Sequence, residues 1–264
     1  MITTSDFDLL VENHLNLQVS ISYPDHYDFL TRHQLNQCSQ ILDVGCGNGT
    51  FVSRLAHDHP TIHFVGIDKR RQCVESAKKL TQKNLIFHQV DMFSSQTVFD
   101  FSHFDGILMR YFLLHVDHSQ KILELFKSKA KRPSRFWIID LDWSKFACAP
   151  PSEMFFKLTN LVKDFCAKIS KDSWGGQRVV SLLENSGYHH IQVESIPFTA
   201  TTTSLDDFCL YLKQEVLCYS RMMGRPLNDP ETADMIRFIE QDVNMGKYEI
   251  SYGMILVSAE LGPE

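Results

Sequence analysis

Three glycines at alternate positions, Gly45, Gly47 and Gly49, follow the β-favouring Ile41-Leu42 and precede the apolar, helix-like Thr50-Phe51-Val52. The stretch QILDVGCGNGTF (40–51) thus reads as a strand that turns through glycines into a helix. Such a turn presents unpaired backbone N–H groups and the positive end of a helix dipole, which suits an anionic or polar cofactor. It also opens a βα unit, and so commits the chain to building a parallel sheet.

The following sequence keeps that rhythm. Short apolar runs at 62–68, 85–91, 104–111 and 135–142 predict further strands, separated by helical patterns at about 50–58, 71–82 and 118–129. The second half is less regular. Strands are predicted within 186–198 and over 247–261, with helical periodicity at about 152–170, 204–223 and 230–246 and a Gly175-Gly176 turn. Ser204 with Asp207 resembles a capping box with Asp in place of Glu. One domain over residues 1–264 is expected, with an N-terminal helical segment (1–38) and two helical insertions (143–175 and 199–246). Insertions beyond a sheet edge usually cover a site, so these two are read as a substrate lid.

At 44% apolar content the chain can fill a globular interior. Its start, MITTSDFDLL, lacks the basic flank and apolar run of a secretory or transit peptide, and no apolar stretch reaches the ~20 residues of a membrane span. Seven cysteines without a C-x-x-C pair argue against a zinc ribbon and fit reduced thiols in a cytoplasm. A net charge of −6 disfavours a nucleic-acid partner.

A dinucleotide fingerprint would need glycine where Thr50 stands. Asp68 ends the second strand, 21 residues after Gly47, where a carboxylate can accept both ribose hydroxyls of a nucleoside lying across the strand tips. The glycine spacing resembles the cofactor loop of class I S-adenosylmethionine-dependent methyltransferases. FDGILMRYFLLHV and RFWIIDLDW extend the likeness to small-molecule enzymes of the ubiquinone/menaquinone-biosynthesis type, from about Tyr27 to the end. One departure is the loop before the fifth strand, KRPSR (131–135) rather than Pro-Gly-Gly. The resemblance implies an α/β, Rossmann-like, doubly wound seven-stranded sheet of order 3-2-1-4-5-7-6 with the last strand antiparallel. It also implies an adenine held by Asp91, Met92 and Phe93. The cofactor set is then Asp43, Gly45, Cys46, Gly47, Asn48, Asp68, Lys69, Asp91, Met92, Phe93, Arg110 and Tyr111.

S-adenosylmethionine carries an activated methyl group, leaving the protein chiefly to align an acceptor and exclude water. No protein nucleophile or metal is required. A general base matters only for an acceptor that must lose a proton, and His115, just past the fourth strand, is the candidate. The acceptor is read as a small molecule enclosed by Tyr23, Tyr27, Phe155 and Tyr211. Core packing also explains these aromatics: Phe208, Tyr211, Leu212 and Glu215 follow i, i+3, i+4, i+7, with only three of the four apolar. Asp140 and Asp142 share a strand face but lack an evident third metal ligand, and the adjacent strand residues His189 and His190 point to opposite faces, against chelation. Rival readings are methylation of a protein or RNA, and a non-catalytic cofactor-binding regulator; a monomer or homodimer is expected.

Overall fold

The computed structural model describes residues 4–94, 99–130, 133–169, 176–199, 204–226 and 228–262. Gly175 and the start of the 131–135 loop lie outside them. The strands are β1 (Gln40–Val44), β2 (His63–Asp68), β3 (Leu85–Gln89), β4 (Gly106–Arg110), β5 (Ser134–Leu141), β6 (Ala147–Ala149), β7 (His189–Thr199) and β8 (Glu249–Leu261). Parallel pairing runs β3-β2-β1-β4-β5, after which β8 joins β5 antiparallel and carries β7 on its other edge. With the three-residue β6 set aside, this is the predicted 3-2-1-4-5-7-6 order. β6 is an addition that the sequence did not announce; it pairs with the start of β8, beyond the end of β5.

The helices are α1 (Thr4–Arg32), α2 (Thr50–Asp58), α3 (Arg71–Lys78), α4 (Ser119–Lys129), α5 (Glu153–Ile169), α6 (Gly176–Asn185), α7 (Leu205–Met222) and α8 (Pro230–Phe238), the last continuing as a π turn over Ile239–Val243. Alternation along the strands sends Leu108, Trp137 and Ile139 to one face and Ile107, Phe136 and Ile138 to the other. The first face is covered by α1, α2, α3, α7 and α8, the second by α4 and α6. α5 gives Phe155, Leu158 and Leu161 to one core and Val162 and Cys166 to the other, so it bridges the two layers. Ser204 caps α7 as its spacing predicts, accepting from the Asp207 N–H at 3.0 Å.

The reading of His189 and His190 needs correction. A bulge between His189 and Gln192, with His190 at φ +52°, breaks the strand alternation and brings the two rings within 4.7 Å. Glu260 completes a group of three potential ligands on exposed surface, but its carboxylate is already paired with both Arg135 and His190.

Candidate active site

β1, β2 and β4 end side by side, and the glycine turn lies across them. Gly45, Gly47 and Gly49 all have positive φ (74°, 57° and 78°). Gly45 and Cys46 donate to the Ile67 carbonyl at 2.8 and 3.0 Å, which pins the turn to the end of β2. A Cβ on Gly45 would lie 2.4 Å from the Phe112 ring, and one on Gly49 would meet Phe87 at 2.7 Å. At Gly47 a Cβ would meet only Leu15, at 3.5 Å.

Asp68 is buried and tied to the same turn. One oxygen accepts from the Gly47 N–H at 3.1 Å and the other from the Arg70 N–H at 2.7 Å. The ribose candidate and the glycine turn therefore form one unit, and the carboxylate keeps unused lone pairs for hydroxyls. Asp43 is buried on β1, and burial pushes its carboxyl up to about 7, with Arg110 opposing and Asp68 adding to the rise. Arg110, at the end of β4, lies over the Phe51 ring at 4.6 Å and donates to Gln18 of α1 at 3.3 Å. Tyr111 follows at φ +50°, with its hydroxyl 3.0 Å from the Met254 sulfur. Asp91, Met92 and Phe93 lie in the turn beyond β3, where Asp91 accepts from the Phe93 N–H at 3.0 Å; Phe93 and Lys69 are exposed.

α1 lies over the turn. Asn16 accepts from Asn48 at 2.8 Å and from the Thr50 hydroxyl at 2.7 Å, and Leu15 faces Gly47. The same helix then continues past Arg110 and Tyr111, with His26 edge-on to the Tyr111 ring at 5.9 Å. Tyr23 donates to Asp58 at 2.6 Å and meets Phe51 edge-on at 5.5 Å, and Tyr27 stacks on His59, so both hydrogen bonding and stacking tie these rings towards the far end of α2 rather than to the glycine turn. Phe155 is buried in the core.

Tyr211 is buried on α7. It stacks on His14 at 5.2 Å and donates to Glu215 at 3.0 Å, and Tyr252 donates to the other oxygen of the same carboxylate at 2.7 Å. Burial lifts Glu215 to about 7. The sequence signal for this residue was the one acid in the apolar stripe of α7, and it had not been read as a site residue.

His115 packs against Phe165 in the 3-10 turn after β4. Burial, with Arg70 and Lys69 adding to it, holds its imidazole at about 4, so at neutral pH it is an uncharged and weak base. Asp140 accepts from the N–H groups of Leu114 and Leu141, and Asp142 accepts from both N–H and hydroxyl of Ser144; each carboxylate thereby fixes a turn.

Burial raises Asp140 to about 7 from 3.8. A raised carboxyl stabilises the fold fully below its unfolded value, and that contribution is lost as pH climbs through 7. The buried imidazoles of His14 and His115, held at about 4, act in the opposite sense below 6.5. The comparison that isolates Asp140 is therefore Asp140→Asn against the native chain. The variant's deficit at pH 5 should shrink by up to about 1.4 kcal/mol per pH unit towards pH 7, read from paired urea titrations. A pH-independent deficit would contradict the raised carboxyl.

A family model described as a methyltransferase domain matches residues 35–192, well over half of the chain. The chain belongs to the methyltransferase domain family. Its strand order is the one that the class I resemblance implies. No curated protein matches its sequence. Among solved structures, it is similar to a putative methyltransferase from Bacillus halodurans (16% identity, TM-score 0.59, covering 91% of this chain and 100% of that one). It is also similar to phosphoethanolamine N-methyltransferase 2 of Haemonchus contortus, in complex with phosphomonomethylethanolamine and S-adenosylhomocysteine (13%, 0.55, 86% and 49%). A third is the plantazolicin methyltransferase BpumL, in complex with a desmethyl analogue and S-adenosylhomocysteine (16%, 0.53, 94% and 88%). This chain thus spans about half the length of the Haemonchus enzyme. At these identities the likenesses speak for the fold, and function has to be argued from the site.

Proposed function

We propose that this methyltransferase binds S-adenosylmethionine across the ends of β1, β2 and β3 and methylates a small molecule held between β4 and the helices α5 and α7. The observation that carries the reading is the convergence of Asp68 and the Gly47 N–H at 3.1 Å, a carboxylate and a backbone cradle joined at one strand edge. In this reading Asp68 accepts the ribose hydroxyls and the Gly45–Asn48 main chain lies along the methionine part. Asp43 offers hydrogen-bond acceptors to its amino group and Arg110 a positive charge to its carboxylate, and Asp91, Met92 and Phe93 flank the adenine. Bound cofactor supplies a sulfonium methyl already activated towards a nucleophile.

The remaining work falls to the chain. α1 covers the glycine turn through Asn16, and α5 spans both cores, so the site is shielded from water on two sides. That cover suits a small acceptor better than a folded protein or RNA. His115, as a weak neutral base, serves packing beside Phe165 rather than proton removal. No helix among the described residues is long and apolar enough to cross a membrane, and none of the seven cysteines is in a disulfide; a cytoplasmic setting fits both facts.

S-adenosylhomocysteine at about 100 times its Kd should stabilise the protein by ~2.7 kcal/mol, whereas NAD should leave the melting curve unmoved. A thermal melt with each ligand checks this. A shift with NAD alone, or with neither ligand, contradicts the reading.

A further inference from the structure

Glu215 is 1% exposed and sits on α7 above Tyr252 of β8, at the end of the sheet where the glycine turn lies. Its two oxygens accept only from tyrosine hydroxyls, Tyr211 at 3.0 Å and Tyr252 at 2.7 Å. Among the described residues no lysine, arginine or histidine forms an ion pair with it. Buried carboxylates ordinarily have a cationic partner, because neutral donors repay only part of the cost of leaving water. Two hydroxyls leave half of its lone pairs unused.

Aromatic rings stand beside this carboxylate. Tyr211 and Tyr252 meet nearly at right angles, their ring centres 6.4 Å apart and planes at 77°, and Phe198 stands edge-on to Tyr211 at 5.4 Å. Aromatic faces gathered around a carboxylate attract an ammonium group from several directions. A second, independent observation points to a missing polar partner. His14 is 8% exposed and stacked on Tyr211, yet its Nδ1 is buried without a hydrogen bond. Its imidazole is held uncharged by burial, so it supplies no competing cation. Tyr211 also lies within electrostatic reach of Arg110 and Tyr111 at the end of β4, the residues to which the proposed function assigns the methionine end of the cofactor.

We propose that Glu215, Tyr211 and Tyr252 form the acceptor-recognition site, and that the acceptor carries a positively charged amine seated against Glu215. This inference rests on the methyltransferase reading above and deepens it by naming the substrate class. The attacking atom need not be the anchored nitrogen; the amine fixes the acceptor's position while another part of it can face the methyl group.

The test uses the full-length protein saturated with S-adenosylhomocysteine and a series of amines from methylamine to phenethylamine, each paired with the alcohol of the same skeleton. Binding is measured by calorimetry at pH 7.5. At least one amine should bind at least about tenfold more tightly than its alcohol. Glu215→Gln should erase that preference while keeping the S-adenosylhomocysteine shift, and Tyr211→Phe, which keeps the ring, should keep part of it. No amine exceeding its alcohol, or an amine preference that survives in Glu215→Gln, overturns the assignment. Loss of the S-adenosylhomocysteine shift in the native protein would instead strike the methyltransferase site itself, so the two failures are told apart.

Discussion

Gly45→Ala should lower the unfolding free energy of the ligand-free protein by about 2–5 kcal/mol. Two costs add. An L-residue at φ +74° pays about 1–2 kcal/mol for the left-handed conformation. A methyl group 2.4 Å from the Phe112 ring must also push that ring or the turn aside, which costs about 1–3 kcal/mol in a packed site. Gly224→Ala is the control. Its φ is +80°, yet nothing lies within 4 Å of the added Cβ, so only the conformational cost applies. Paired urea titrations should therefore show Gly45→Ala losing clearly more than Gly224→Ala. Equal losses would mean that Phe112 yields freely, and that the turn is not held as tightly as its hydrogen bonds to Ile67 indicate.

Asp68→Ala should weaken S-adenosylhomocysteine binding by about 100-fold or more. Each hydrogen bond between a carboxylate and a ribose hydroxyl contributes roughly 1.5–3 kcal/mol, and two are lost together. The variant also leaves the Gly47 and Arg70 N–H groups without their acceptor, so the glycine turn loosens at the same time. Asp68→Asn separates the two effects. Its carboxamide oxygen can still accept one backbone N–H and hold part of the turn, while its NH₂ cannot accept a hydroxyl. Calorimetric titration of the three proteins should rank affinity native, then Asn, then Ala. An alanine variant that binds as tightly as the native chain would remove Asp68 from the ribose role.

Much of this was legible in the sequence, for a physical reason. A glycine turn between a strand and a helix admits few conformations, and once β1, the turn and α2 are fixed, alternation of strand and helix leaves a doubly wound sheet as the natural solution. Asp68 could be placed beside the turn because the end of a strand is legible from where its apolar run stops. What stayed hidden depends on relations between distant segments. Nothing in the sequence of α1 says which part of it meets the glycine turn, or that Tyr23 and Tyr27 find partners in Asp58 and His59. β6 is three residues held only by β8. The bulge at His190 hangs on one backbone angle, and Glu215 looked like an interruption of an apolar stripe until Tyr252, 37 residues away, came to face it.

The length of α1 has a thermodynamic consequence. Near its middle, Asn16 holds the residues that flank Gly49; at its far end, Arg32 and His33 are anchored on Glu194 of the outermost strand. Ligand retention and the anchoring of that distant margin are thereby linked, because one helix must be seated at both places. Damage at either anchorage is felt at the other, and occupancy by the methyl donor should slow amide exchange some distance from any atom it touches.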